Sequence, residues 1–282
     1  MILPMITAHS GCELTEIDTL ASIDAALLLE ADAVEVDVRV DAKGELRVSH
    51  DVLLQNEYLT KLTLREVFDK LRDTRLMVNC DIKEQGALYK VFEEAEKYAF
   101  PGDRLILSGC TGPEQLARDR SITERGRICL NIEEVLKFVY LYRKQEISMD
   151  RFILLMNDPW LILKENGMQI EDAWIEDTIR CYQMLKAAAA NIPKFLLDTK
   201  LAVGLKDAGI PLSVWTVNEP EIVRSCLSAG VQNITTRMVR QAIEIRREFS
   251  AKAAWTDENV KKTRLMLNSC DFYPIVDLYN GC

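Results

Sequence analysis

The chain has 282 residues, 48% hydrophobic and 28% charged, which is enough for one large core or two small ones and is the composition of a folded globular protein. Acidic residues outnumber basic ones by 44 to 35, and a formal net charge of -9 excludes a nonspecific nucleic-acid binder, though not a local basic pocket for one phosphate. No uninterrupted apolar run approaches the roughly 20 residues that cross a bilayer, so no integral membrane association is expected. The eight cysteines form no C-x-x-C pair, and Met1-Ile2-Leu3-Pro4-Met5 has neither a basic n-region nor a long apolar stretch. Reduced thiols and a cytoplasmic location are the expectation.

Short β-branched runs alternate with helix-period stretches along the chain. Strands are expected at Met5 to Ala8, Ala33 to Arg39, Leu76 to Ile82, Arg104 to Ser108, Arg127 to Asn131, Phe152 to Met156, Leu212 to Val217 and Asn233 to Thr235. Helices are expected at Thr19 to Glu30, Thr63 to Leu71, Gln85 to Tyr98, Ile132 to Lys144, Ala173 to Ala189, Asp198 to Ala208, Pro220 to Ala229 and Arg237 to Phe249. Eight such βα units in about 250 residues fit an α/β fold of the (β/α)8 TIM-barrel type. The alternative, an open doubly wound sheet, lacks any G-x-G-x-x-G or G-x-x-x-x-G-K nucleotide turn in this sequence. No Gly-, Pro- or Ser-rich linker divides the chain, so residues 1–249 read as one barrel domain and residues 250–282 as a C-terminal extension. The extension's Trp255, Phe272, Tyr273 and Tyr279 have two readings, docking on the barrel or on another subunit of a homo-oligomer.

The chemistry concentrates near the N-terminus. The chain's only two histidines, His9 and His50, flank the acidic strand Val34-Glu35-Val36-Asp37-Val38, and histidine both takes and gives a proton near neutral pH. Residues two apart on a strand share a face, so Glu35, Asp37 and Arg39 point one way and the valines the other. In Asp81-Ile82-Lys83 the same alternation sets an acid beside a lysine. Carboxylates aimed into a barrel need a partner. Two readings answer that need: a hard divalent cation, Mg2+ or Ca2+, on Glu35, Asp37 and Asp81, or a buried ionic network with Arg39 and Lys83.

Read together, His9-Ser10-Gly11, Glu16-Ile17-Asp18-Thr19, Glu35-Val36-Asp37, His50-Asp51, Asp81-Ile82-Lys83 and Trp215-Thr216-Val217-Asn218 resemble, in order and spacing, the H-R-G, P-E-N-T, E-x-D, H-D, E-x-K and W-T-V-N motifs of the glycerophosphodiester phosphodiesterase family. Leu62-Thr63-Leu64-Arg65-Glu66-Val67 and Gly230-Val231-Gln232-Asn233-Ile234-Thr235 extend the resemblance, which spans about residue 5 to about residue 245. It implies a phosphodiesterase barrel with metal ligands Glu35, Asp37 and Asp81, acid/base residues His9 and His50, and Lys83 on the phosphate. Trp215 falls at a family position near the mouth, suited to packing against substrate or simply to barrel packing.

The departures are specific. Ser10 stands where the family has an arginine that grips phosphate with a planar fork. Arg39 is the candidate for supplying that charge, displaced along the strand by about 7 Å per two-residue step. Ile17 replaces the P-E-N-T acid, Asp81 is one methylene shorter than the family's glutamate, and only Val52 to Lys61 remain where a longer covering insertion is common. Three functions are therefore expected, in this order: a metal-dependent phosphodiesterase acting on glycerophosphodiesters or related lipid-derived diesters, the same site acting on a lysophospholipid, and a catalytically silent barrel that binds a phosphorylated ligand. No G-x-S-x-G, H-E-x-x-H or cysteine-nucleophile motif supports another chemistry.

Overall fold

The computed structural model describes residues 3–53, 57–158, 160–167 and 170–252. Its strands are β1 (Met5–Ala8), β2 (Ala33–Val40), β3 (Leu46–Val48), β4 (Met77–Ile82), β5 (Leu105–Gly109), β6 (Arg127–Asn131), β7 (Ala189–Pro193), β8 (Leu212–Trp215) and β9 (Asn233–Thr236). They lie in the order β1-β9-β8-β7-β6-β5-β4-β2-β3, and β1 also pairs with β2, which closes eight parallel strands into a barrel with helices between them. β3 is the exception, pairing antiparallel with the far end of β2. The (β/α)8 expectation is thus the observed fold.

The wall is built as the strand alternation requires. Val34, Val36 and Val38 of β2, with Cys80 and Ile82 of β4, pack outward into one continuous core with Phe68 and Phe92 of the surrounding helices. The inward faces carry Thr7, Glu35, Asp37, Asn79, Asn191, Ser213 and Asn233, all buried. An interior this polar must be hydrogen-bonded to be stable. Helix starts are equally local: Thr63 caps the helix Leu64–Leu71, its side chain accepting from Glu66 N–H while the Glu66 carboxylate accepts from Thr63 N–H.

Two expectations are corrected. Phe152 to Met156 is not a strand but part of the helix Met149–Asn157, of which only Leu155 is buried. A short apolar run does not by itself distinguish strand from helix. The local signal that decides is Ser148, whose hydroxyl accepts from Arg151 N–H as an N-cap, with Asp150 in the first turn. The barrel strand missing from the expected set is β7. Its alanines read as the end of a helix, but that helix, Asp172–Leu185, stops at Lys186 in the left-handed conformation. Ala189 and Ala190 then pair with β6 and β8, where strand neighbours override the helical preference of alanine. The helices Met149–Asn157 and Leu161–Glu165 thus belong to an excursion between β6 and β7.

The last described helix runs over 239–252, and the extension from residue 253, with Trp255, Phe272, Tyr273 and Tyr279, lies outside the described residues. No described helix is long and apolar enough to cross a membrane.

Candidate active site

A cavity of about 400 Å3 opens at the C-terminal ends of the barrel strands, and the inward-facing acids of β2 and β4 line it with His9, His50 and Lys83. This is the end at which barrels of this type carry ligand sites. The acids meet because of register: β2 and β4 pair Glu35 with Asn79 and Asp37 with Asp81. One carboxylate oxygen from each of Glu35, Asp37 and Asp81 lies within 4.8 Å of the other two. Asp81 is further held by the Ser108 hydroxyl, which donates to its Oδ1 at 2.7 Å. Gly109, at the end of β5, has φ 76°, and a side-chain carbon there would come 2.3 Å from the Ile82 carbonyl oxygen and 2.9 Å from Asp81 Oδ1. Only glycine lets β5 come this close to the acid.

Crowding three carboxyls in a buried place has an electrostatic cost. Burial first, then the charges of Asp37 and Asp81, push Glu35 well above the ordinary glutamate range. Lys83 offsets part of that cost. Its ammonium lies 2.7 Å from Asp37 Oδ1 and also pairs with Asp81. Burial opposes the lysine charge, but the two aspartates prevail and raise its pKa. Of the two sequence readings, the ionic pairing is present through Lys83, and the three-carboxylate group is also geometrically able to hold a metal. Oxygen-only donors suit a hard divalent cation.

The histidines occupy different depths. His9 follows β1, its Nδ1 3.0 Å from the Ser10 carbonyl oxygen and 3.6 Å from Glu35 Oε2. Burial lowers its pKa. His50 follows β3 at the rim, where its imidazole is 64% exposed and its Nδ1 lies 3.0 Å from Asp51. Asp18 ties the two histidine-bearing segments together: one carboxylate oxygen accepts from His50 N–H at 3.1 Å and the other from the Ser10 hydroxyl at 3.1 Å. The glycine after Ser10, Gly11, sits at φ 77°, and a side-chain carbon would meet Ile17 at 2.6 Å.

Ser10 does not face the cavity. Its hydroxyl is spent on Asp18 and its N–H donates to Glu35. Arg39 donates to the His50 carbonyl oxygen through Nε and Nη2 and pairs with Glu84 at 3.1 Å, so it braces the His50 segment and does not line the cavity. Trp215, at the end of β8, does line it.

Among the cavity residues that sequence reasoning missed are Arg237, Glu133 and Asn131. Arg237, just past β9, lines the cavity, donates from Nε to the Ser10 carbonyl oxygen at 3.1 Å and lies 3.4 Å from His9 Nδ1. Its backbone N–H donates to Asn218 Oδ1 at 2.9 Å, which gives the last residue of Trp215-Thr216-Val217-Asn218 a positioning task. Among the described residues Arg237 is in no carboxylate ion pair. The signal for it was its place immediately after the Thr235-Thr236 strand end. Glu133 and Asn131 also line the cavity, at the start of the helix after β6. No spacing in the sequence marks them.

Neither a family model nor a curated protein matches this sequence. Solved structures do match in shape. A glycerophosphodiester phosphodiesterase from Thermotoga maritima aligns with TM-score 0.62 and 20% identity over 87% of this chain and 99% of its own. One from Parabacteroides distasonis gives 0.60 and 15% over 89% and 98%. A phosphodiesterase from Oleispira antarctica, solved with the product sn-glycerol-3-phosphate, gives 0.60 and 16% over 86% and 96%. A (β/α)8 barrel with an acidic group at its C-terminal mouth is the class that fold and site define. Within that class the barrel has the fold of the glycerophosphodiester phosphodiesterases.

Proposed function

We propose that this barrel is a metal-dependent phosphodiesterase that hydrolyses glycerophosphodiesters, or related lipid-derived diesters such as lysophospholipids, to an alcohol and a phosphomonoester, in the cytoplasm. The observation that carries the reading is the meeting of His9, His50, the Glu35/Asp37/Asp81 group and two cations, Lys83 and Arg237, in one cavity. Glu35, Asp37 and Asp81 would hold Mg2+ or Ca2+, which when bound polarises a phosphoryl oxygen and neutralises developing charge. One histidine takes the proton of the attacking hydroxyl and the other returns one to the leaving alcohol. Arg237 takes over the phosphate grip that Ser10 cannot supply, because its fork lies beside His9 and among the described residues no carboxylate pairs with it. Asp18 holds both histidine segments, so it is a positioning residue.

One observation favours a second reading, ligand binding without turnover: Lys83 already neutralises Asp37 and Asp81. A single assay separates the two. Glycerophosphocholine, glycerophosphoethanolamine, bis(p-nitrophenyl) phosphate and a lysophospholipid are offered with Mg2+, Ca2+ or Mn2+, or with EDTA, to wild type and His50→Ala. The enzyme reading requires turnover that EDTA abolishes and His50→Ala lowers about 10^2- to 10^4-fold. Absence of turnover on every substrate, with phosphate still raising the melting temperature, assigns the barrel to binding.

A further inference from the structure

Large apolar side chains left in water mark contact surfaces when they gather on one face of a molecule. Here they gather at the end of the barrel where the cavity opens: Leu14 and Ile17 after β1, Val52 and Leu59 past His50, Phe195 after β7 and Met238 after β9. In the order of the sheet the strands concerned run β7, β8, β9, β1, β2 and β3, so these side chains form an arc along one side of the mouth. The other end of the barrel differs. Among the described residues, no segment that leads from a helix into a barrel strand exposes a large apolar side chain.

Leu14 is 97% exposed, and the backbone is strained to hold it there. Glu13 and Leu14 lie at φ 52° and 62°, a left-handed pair that glycine alone adopts freely. Hydrogen bonds fasten this turn to the segment after β9: Glu13 N–H donates to the Arg237 carbonyl oxygen at 2.9 Å, and Glu13 Oε1 accepts from Arg240 N–H at 3.0 Å. At the far end of the arc, Phe195 meets Trp160 edge-on at 5.4 Å, which joins the rim to the excursion between β6 and β7. The helix Met149–Asn157 of that excursion exposes Met149, Phe152, Ile153 and Met156. Positions i, i+3, i+4 and i+7 make the stripe that a surface helix normally turns to the core. In this helix the stripe faces solvent.

We propose that the apolar arc at the mouth, together with the stripe of the excursion, rests on the surface of a phospholipid bilayer and seats the cavity against the lipid headgroups. The proposal rests on reading the cavity as a site for lipid-derived diesters and adds where such a diester is met. The shape of the arc favours a bilayer over a protein partner. Its side chains come from segments spread round five of the eight barrel strands, β7, β8, β9, β1 and β2. A protein or a second copy touching all of them would cap the mouth and shut substrate out, whereas a bilayer carries the diester to it. The net charge of -9 sets the mode of contact, which is burial of apolar side chains and not attraction of basic residues to anionic lipid. No described helix crosses the bilayer, so the contact is peripheral.

The test is flotation of the full chain with phosphatidylcholine vesicles, with and without phosphatidylserine, at low and high salt. Wild type is compared with Leu14→Ser, Phe152→Ser and a control, Leu28→Ser. Leu28 is 81% exposed but ends the helix Leu20–Leu28, at the opposite end of the barrel. Wild type is expected to float with phosphatidylcholine alone, to the same extent at both salt concentrations. Leu14→Ser and Phe152→Ser should each weaken partitioning about tenfold, the loss of one buried apolar side chain, and Leu28→Ser should leave it unchanged. Wild type that stays in solution overturns the bilayer contact. So does flotation that requires phosphatidylserine and low salt, that neither Leu14→Ser nor Phe152→Ser weakens, or that Leu28→Ser weakens as much. A dimer that Leu14→Ser dissociates, without flotation, gives the arc to a second copy instead. If hydrolysis fails on every diester but flotation holds and responds to Leu14→Ser, the enzyme reading falls and the bilayer contact stands. If diesters are hydrolysed without flotation, the bilayer contact falls alone.

Discussion

The two halves of the barrel mouth solve the burial of polar groups in opposite ways. On the β1, β2 and β4 side, charge is met by charge: Glu35, Asp37 and Asp81 face Lys83, and His9 faces Glu35 and Arg237. From β1 round through β9, β8 and β7 to the end of β6, neutral amides and hydroxyls are chained from Thr7 to Glu133, with no ion pair in the chain among the described residues. The charged half is electrostatically expensive and suits a cation and a phosphate. The neutral half holds two buried polar atoms, Glu133 Oε2 and Trp215 Nε1, with no hydrogen-bond partner among the described residues.

That division has measurable consequences, the largest on the charged side. Asp37→Asn removes a carboxylate shared by the metal group and Lys83, and metal-stimulated turnover should fall by roughly 10^3-fold or more, the several kcal/mol that metal catalysis supplies. Unchanged metal-dependent turnover in this variant would remove the carboxylates from the mechanism. Arg237→Ala comes next. Loss of one charge-assisted contact to phosphate should raise KM or lower kcat/KM for every diester about 10- to 100-fold, whatever its alcohol, with Arg237→Lys recovering only part. A loss confined to glycerol esters would instead show that Arg237 does not grip the phosphate.

The smallest effect lies on the neutral side and concerns stability. Glu133 has an ordinary value of 4.5 and is raised to about 7 in the fold by burial, so the folded state binds its proton more tightly. Stability from this group is complete below pH 4.5 and is lost as pH rises to about 7. Glu133→Gln cannot ionise. Its melting temperature relative to wild type should therefore improve by a few degrees between pH 4.5 and pH 7.5. A relative melting temperature that does not change with pH would show that the carboxyl is not desolvated in the fold.

Much of this molecule was legible before its structure. The period-two alternation of β2 placed Glu35 and Asp37 on the inner face, and the helical period placed a helix from Thr63 to Leu71, because each depends on neighbours a few residues apart. Phe152 to Met156 and the alanines of β7 were misread for the converse reason. An apolar run and an alanine run are each compatible with two local structures, and packing against β6 and β8 decides the second. Arg39 shows the same limit within a correct strand. Its face followed from alternation, but its guanidinium is captured by the His50 carbonyl and Glu84, partners set by the β2–β3 hairpin and by the pairing of β2 with β4.

The amino-acid sequence by itself determined the barrel class, the acidic strand, the two histidines and the serine that follows the first of them. Tertiary structure decided what those residues meet. Register set Asp37 beside Asp81, and closure of β1 on β9 brought Arg237 next to His9 across 228 residues of chain. The amide ladder that leaves Glu133 Oε2 over exists only once five strands lie side by side. Alternation and capping are short-range and written in neighbouring residues, whereas register, closure and an unpaired buried atom are properties of the assembled barrel.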